Sequence, residues 1–582
     1  MRGRGSPPPF LFLDTGGEGL YIDLGMLYER WHIKDPARKG ELVDVLLRNR
    51  GIDREEFRQW WRGRSYSPFQ MKDMDKAVSK ILDAVKRGRR MAIFGDYDAD
   101  GIAGTALLLE FLRKVGADVC YILPHRVSDG YGIRPSGVEQ ARRMGAELII
   151  TVDNGISSSE AALRARSLGV DLVITDHHLQ EGPLPPAEAV VDPNRSDDGY
   201  PFKGLSGVGV VYKLTLALSE ALGMSTEPPL DLVALGTVAD MAPLTNENWW
   251  MVKRGLKAIA NSRRPGLRKL LEVSGNLNRT ITVTTVGFHL GPRLNAAGRI
   301  HAPDMALKLL ISRDLNEAMY LARELNRLNE ARQRMVERGL AEAEEAIERG
   351  EMLRERILVL VGENWHVGVV GLIAQKLVQR YHRPALVLTK APEVGVLTGS
   401  ARSIRGFPIT DVLAGLSRHL LTFGGHELAA GFSLQEEAFE PLREGLISAA
   451  REILTEEDLK PTLEVDCLLE PEEVNLDTVK ILNALKPFGH GYPHPVFAML
   501  GCRVVDTRRI GNGRHLSLHL EKGGYLMEAV GWGFGELGWT PGRGNLVDVA
   551  FGLEEHNWRG REAVRLVLED VKASPEDICG FW

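Results

Sequence analysis

From Met71 to about Asp192 the chain alternates stretches of helical spacing with short runs that are almost wholly apolar: 91–95, 118–123, 147–152, 171–175 and 189–192. Such runs read as strands buried on both faces, and strands separated by helices imply βαβ units and a parallel sheet. Residues 206–242 are apolar with helical spacing, and 249–273 read as helical and more polar. A long helical stretch then runs from Asn316 to Arg349. Its charges alternate in sign around a thin seam of Leu321, Leu325, Leu328, Met335 and Leu340. About 34 helical residues would span ~50 Å, enough to bridge two domains.

A second α/β unit opens with Ile357-Leu358-Val359-Leu360-Val361 and runs to about 453. Pro461 opens a last region whose strand-like runs at 496–505, 514–520, 525–532, 546–552 and 562–568 suggest a small β-barrel. Before all this, 1–70 carries two short helical patterns, Leu42–Asn49 and Arg54–Arg62, with several Trp and Tyr. The expected layout is an N-terminal appendage (1–70), a parallel-sheet α/β domain (71–315), a connecting helix (316–350), a second α/β domain (351–455) and a barrel (460–582). A length of 582 residues exceeds what one core supports and suits such a division.

Composition changes this picture little. The 44% hydrophobic and 26% charged fractions are those of a soluble globular protein. No apolar run reaches the ~18 residues of a membrane span. The N-terminus, Met-Arg-Gly-Arg-Gly-Ser-Pro-Pro-Pro, lacks the apolar core of a secretory signal. Cys120, Cys467, Cys502 and Cys579 form no C-x-x-C pair, which argues against structural zinc and disulfides and for a reducing cytoplasm. A net charge of −6 gives no global basic footprint, but a carboxylate-rich metal centre would itself subtract charge, and phosphate contacts depend on local patches.

Four polar clusters carry the chemistry. Asp96-Tyr97-Asp98-Ala99-Asp100-Gly101 follows the run ending near Phe94; Asp153-Asn154-Gly155 follows Val152; Asp176-His177-His178 follows Thr175. Asp240 closes an apolar stretch that reads equally as helix or strand. In open α/β sheets ligands bind beyond the carboxyl ends of the strands, where these clusters would converge. Any single aspartate here could be a helix cap or turn residue. An EF-hand loop fails because its twelfth position is Leu107 and a strand stands where a helix should. Adjacent residues of an extended segment point opposite ways, so one of His177 and His178 can bind metal while the other faces substrate. Mixed Asp and His donors suit Mn2+ or Mg2+, and two such ions can activate water and stabilise the leaving oxygen of a phosphoryl displacement.

The ordered set Asp96–Gly101, Asp153–Gly155, Asp176–His178 and Asp240 resembles motifs I to IV of the DHH phosphoesterase superfamily. That resemblance implies two divalent cations, Mn2+ or Mg2+, on Asp98, Asp100, Asp153, His177 and Asp240, with Asp96 a less certain contributor. It implies His178 at the scissile phosphate and Asp176 orienting the imidazoles, so that Asp153, Asp176 and His178 form the catalytic set. Gly424-Gly425-His426-Glu427-Leu428-Ala429-Ala430-Gly431 resembles an element of the DHH-associated domain, although a Gly-Gly-His string alone reads equally as a tight strand-to-helix connection. Ser400 and Arg402 offer a hydroxyl and a guanidinium to a terminal phosphate. His366 lies in Asn364–Gly371, which enters a helix and would offer an anion site there.

Three further segments resemble the RecJ branch of the superfamily, whose members degrade single-stranded DNA from its 5′ end: Pro124–Gly132, Gly291–Arg299 and Pro487–Pro493. The branch implies a 5′→3′ exonuclease releasing 5′-mononucleotides in DNA repair and recombination. Arg126, Ser400 and Arg402 would hold the 5′ phosphate, Arg299 the strand near the scissile bond, and an OB-fold barrel the single strand. It further implies a cytoplasmic monomer acting with a single-strand binding protein and a RecQ-type helicase. Two departures stand out: Tyr492 occupies a position that is usually Asn, and His494 is unfamiliar.

Two rival functions remain at this level. A small-substrate DHH phosphatase, acting on nanoRNA, a cyclic dinucleotide or pyrophosphate, would not need the barrel; the pyrophosphatases also carry His where this chain has Phe94. A non-catalytic scaffold, like the eukaryotic relative serving the replicative helicase, would have lost metal ligands that are all present here.

Overall fold

The computed structural model describes residues 30–126, 130–180, 182–225, 228–391, 394–537, 539–558 and 561–574, with 11–12, 21–22 and 27–28 besides. The chain folds as two compact units. One comprises Glu55–Gln333 with Pro487–Pro493; the other comprises Met1–Arg54, Arg334–Lys486 and His494–Trp582.

The first unit is built on a five-stranded parallel sheet in the order Val119–Ile122, Met91–Phe94, Leu148–Thr151, Asp171–Thr175, Ala189–Val191. Met91–Phe94 and Leu148–Thr151 are buried throughout, the consequence of helices covering both faces. The first strand in sequence has the second on one side and the third on the other. Connections therefore diverge at this point, opening a crevice beyond the strand ends. The apolar 206–242 stretch is two helices, Gly207–Ala221 and Leu230–Ala239, so Asp240 is the C-cap of a helix rather than the end of a strand.

The helix Leu315–Arg349 has the expected length. Its seam is Leu321, Leu325 and Leu328, followed by Val336, Leu340, Ala343 and Ile347, all buried. Met335, expected in the seam, is exposed. The 3.6-residue period carries the stripe to Val336 instead.

In the second unit a mixed sheet runs Thr422–His426, Ala429–Gln435, Val396–Arg402, Ala385–Lys390, Leu358–Gly362; only the last two strands are parallel. Gly424-Gly425-His426 is thus the edge strand of a hairpin, not a strand-to-helix turn. Phe497–Ile510, His515–Lys522, Tyr525–Gly531, Arg561–Ala573 and Leu546–Trp558 close into a five-stranded barrel, because the first of these pairs with both the second and the last. That connectivity is an OB-type barrel.

The described residues 30–70 are not a separate appendage. Arg30–Asp35 pairs in parallel with Thr462–Leu468, which in turn extends the barrel sheet. The Trp31 indole donates to Asp570 at 2.7 Å, and the Arg50 guanidinium forks onto Asp466 at 2.8 and 3.1 Å. From Glu55 onward the chain belongs to the first unit. There Phe57 and Trp60 pack on Tyr492, which also stacks on Phe488 at 5.3 Å. Tyr492 fills an aromatic core, which accounts for a large side chain at that position.

Candidate metal centre

Three of the five strand ends of the first sheet each deliver one cluster. Beyond Met91–Phe94, Asp98 caps the helix Ala99–Lys114, its Oδ1 accepting from the backbone N–H of Asp100 and Gly101 at 2.9 and 3.0 Å. Asp100 sits inside that first turn. Its two oxygens accept from Gly207 and Val208, at the start of the helix Gly207–Ala221, at 2.6 and 3.1 Å. Beyond Leu148–Thr151, Asp153 adopts φ 66°, a left-handed conformation that a non-glycine residue keeps only where its surroundings enforce it. Beyond Asp171–Thr175, Asp176 is fully buried and accepts from the N–H groups of Ile156, His177 and His178 and from His178 Nδ1 at 2.7 Å.

Glycines make the crowding possible. A Cβ on Gly207 would lie 2.6 Å from the Asp153 carboxyl, and one on Gly236 would lie 2.5 Å from Asp100 Oδ1.

The result is a nest of oxygen and nitrogen donors. Three groups each gather donor atoms within 4.8 Å of one another: Asp153 with His177 and His178; Asp100 with His177 and Asp240; Asp96 with Asp98 and Asp153. His177 Nε2 faces Asp153 Oδ1 at 3.0 Å. Asp96, the least certain residue from sequence, lies inside the nest.

Burial, reinforced by the neighbouring carboxylates, pushes Asp96, Asp153 and Asp240 well above the ordinary carboxylate range and Asp100 to about 7. His178 behaves oppositely. Burial disfavours its charge, but the hydrogen bond to Asp176 and the surrounding negative charge raise it to about 9. Asp176 is held below its usual range: burial opposes its charge, and its contact with His178 outweighs that.

So many carboxyl oxygens brought together out of water repel each other unless cations lie between them. The donors are hard oxygens plus imidazole, with no thiolate, and they fit Mn2+ or Mg2+.

Two predicted arginines come to the same place. The Arg126 guanidinium lies over the Tyr97 ring at 5.3 Å, and the charges of both Arg126 and Arg299 reach Tyr97. Of the loop 124–132, residues 127–129 lie outside the described residues.

The remaining candidates gather on the second unit's sheet. Ser400 stands opposite Gly431, and Gly431 opposite Gly424; Arg402, Ala429 and His426 form the next such row. Arg402 Nη1 donates to Ser400 Oγ at 2.9 Å. Both side chains lie against Gly371 in the first turn of the helix Val370–Tyr381, whose added Cβ would meet Ser400 Oγ at 2.9 Å and Arg402 Nη2 at 3.2 Å. His366 stands just before this helix, its Nδ1 accepting from Gly368 N–H at 3.0 Å. Gly425 and His426 are exposed on the edge strand.

Sequence reasoning missed three residues here. Asn295 Oδ1 accepts from Ala99 N–H at 2.7 Å, tying Gly291–Arg299 to the first aspartate cluster. The Tyr131 hydroxyl lies 3.0 Å from the His178 ring and 3.2 Å from the Asp153 carbonyl oxygen. Asp192, buried behind Asp176 and raised to about 8 by burial and that neighbour's charge, ends the fifth strand. Only Asp192 had a readable signal, the same apolar-run-then-Asp pattern as the others.

Residues 90–237 match the DHH family, N-terminal domain; 354–454 match the DHHA1 domain; 465–570 match the RecJ OB domain. The single-stranded-DNA-specific exonuclease RecJ of Escherichia coli (strain K12) is 36% identical over 561 residues, covering 92% of this chain and 96% of that protein. The RecJ of Bacillus subtilis (strain 168) is 39% identical over 540 residues, covering 92% of this chain and 68% of that protein. The crystal structure of RecJ from Thermus thermophilus in complex with Mn2+ matches with a TM-score of 0.76 at 31% identity, covering 91% of this chain and 75% of that one.

Proposed function

The chain belongs to the RecJ family of single-stranded-DNA-specific exonucleases, and from that premise we propose that it removes 5′-mononucleotides from the 5′ end of single-stranded DNA, in repair and recombination. The observation carrying this reading is the convergence of Asp96, Asp98, Asp100, Asp153, His177 and Asp240 into overlapping triplets, which share His177 and Asp153 and within each of which the donor atoms lie within 4.8 Å of one another. These residues would hold two divalent cations, Mn2+ or Mg2+. When bound, the cations supply Lewis-acid polarisation of the phosphodiester and lower the pKa of a water.

The chain's own groups do the rest. Asp176 fixes the His178 ring, and its hydrogen bond and charge favour the protonated imidazole, a cationic donor for a phosphate oxygen. The Tyr131 hydroxyl also contacts that ring, 3.0 Å from Nδ1 and 3.2 Å from Nε2. Arg126 and Arg299 carry fixed charge for the strand, while Ser400, Arg402 and the helix start at Gly371 supply donors for the terminal 5′ phosphate.

Among the described residues no helix is long and apolar enough to cross a membrane. We place the enzyme in the cytoplasm as a monomer, since one chain supplies every proposed ligand. A single-strand binding protein and a RecQ-type helicase would present its substrate. The small-substrate alternative leaves the barrel without a task.

The test is degradation of 5′-labelled single and double strands in Mn2+, with and without chelator. Single strands should be consumed and duplexes spared, and chelation should stop the reaction. Equal rates on both substrates, or none, would sink the reading. Arg402→Ala should erase any preference for a 5′-phosphorylated over a 5′-hydroxyl end.

A further inference from the structure

The first unit carries a basic and aromatic surface that the metal centre does not use. It is formed by two helices, Arg54–Arg62 and Asn246–Ala260. Arg58, Trp61 and Arg62 follow the i, i+3, i+4 spacing of one helix face; on the other helix Lys257 lies one turn beyond both Lys253 (i, i+4) and Arg254 (i, i+3). Trp61 is 53% exposed, the most exposed tryptophan among the described residues. It rests on Trp249, with ring centroids 5.9 Å apart, and the Lys253 ammonium sits 3.6 Å from the Trp61 ring and 4.3 Å from that of Trp249. Trp249 is wholly buried and in edge contact with Phe57. The exposed indole is therefore seated on a rigid aromatic core, which spares it the ordering cost of a mobile side chain.

Charge on this face is strongly one-sided. Arg254 lies over the Trp250 ring at 5.2 Å and close to Gly63, and burial, helped by the nearby charge of Lys257, lowers Lys253. Against these cations stands Glu55, 3.4 Å from Arg58. A local cationic stripe in a chain of net charge −6 is fitted to a polyanion. An exposed indole between two cationic helix faces fits one whose units also carry flat aromatic rings.

We propose that this surface is a second binding site for single-stranded nucleic acid, with Trp61 stacking a base and Arg58, Arg62, Lys253, Arg254 and Lys257 contacting phosphates. It goes beyond the exonuclease reading, because none of these residues belongs to the metal centre or to the Ser400–Arg402 strand. Its role is to hold the strand at a point other than the reacting end.

The experiment uses the full chain and a long fluorescent oligothymidylate in metal-free buffer with chelator, so that nothing is cut. Trp61→Ala should weaken binding about tenfold, within the range of base stacking on an aromatic side chain, while Trp61→Phe stays close to wild type. Lys253→Glu with Arg254→Glu should lower affinity and flatten the log–log salt dependence by about 1.4, or ~0.7 per lost phosphate contact. Hydrolysis of a short oligonucleotide in Mn2+ should be unchanged in all variants, which also reports that they fold. Unchanged long-strand affinity and salt slope would overturn the proposal. So would variants that lose binding to a poly-glutamate peptide yet keep DNA affinity, since the surface would then belong to an acidic protein partner. If the double variant does not fold, the contrast between Trp61→Ala and Trp61→Phe decides.

Discussion

Asp153 joins backbone strain, burial and charge in one residue. Its left-handed φ suits Asn nearly as well as Asp, because both short polar side chains tolerate that conformation. Asp153→Asn should therefore fold normally, lose Mn2+ binding by titration calorimetry, and slow hydrolysis by at least about 100-fold. Retained metal binding would contradict the ligand set. Asp96, Asp98, Asp100, Asp153, Asp176, His177 and His178 were readable in sequence because each follows a strand, and strand ends have predictable positions in a parallel sheet. Asn295 and Tyr131 were not assigned roles, because their function depends on where a distant helix and a loop land against Ala99 and His178.

Helices and strands show where polar groups were placed at a cost. Lys213, on Gly207–Ala221, and Glu247, on Asn246–Ala260, form a wholly buried ion pair. Tyr200, Tyr66 and Ser65 satisfy the remaining hydrogen bonds. Lys213→Met should destabilise the first unit by about 3–5 kcal/mol in urea unfolding, since it leaves the Glu247 charge buried alone. Adding Glu247→Leu should restore part of that loss.

In the barrel, Glu569 is the extra residue where pairing slips between Leu568–Phe551 and Asp570–Ala550. Burial pushes its carboxyl up to about 7. Between its ordinary 4.5 and that value the folded state keeps a proton that the unfolded chain has released, so stability falls as pH rises through this window. Glu569→Gln should raise barrel stability by about 1 kcal/mol near pH 8 and leave it unchanged near pH 4. An equal effect at both pH values would show that ionisation is not the cause.

Over the whole molecule, the acidic nest sets a dependence on ions. Binding that occurs only in the folded state stabilises by mass action, about 2.7 kcal/mol at a hundredfold excess over Kd. Calorimetric melting should show Mn2+ raising the transition of the Glu55–Gln333 unit, with chelator reversing it. Asp153→Asn should abolish the shift. A shift that survived this substitution would place the ions elsewhere.

The sequence by itself determined the two α/β regions, the long helix, the barrel strands and the carboxylate and imidazole clusters. Each of these is written in local periodicity or in the residues next to a strand end. The tertiary structure alone decided that Arg30–Asp35 joins the barrel sheet, that the Gly-Gly-His string is an edge strand, and that Asp240 reaches the nest from a helix. It also decided that Trp61 and Lys253 meet on one surface. The first and last of these depend on contacts between distant residues, as between Arg30 and Thr462, while the edge strand and the helix-borne Asp240 are local elements whose type the residue pattern leaves open. Packing selects such contacts only once the whole apolar surface has been buried.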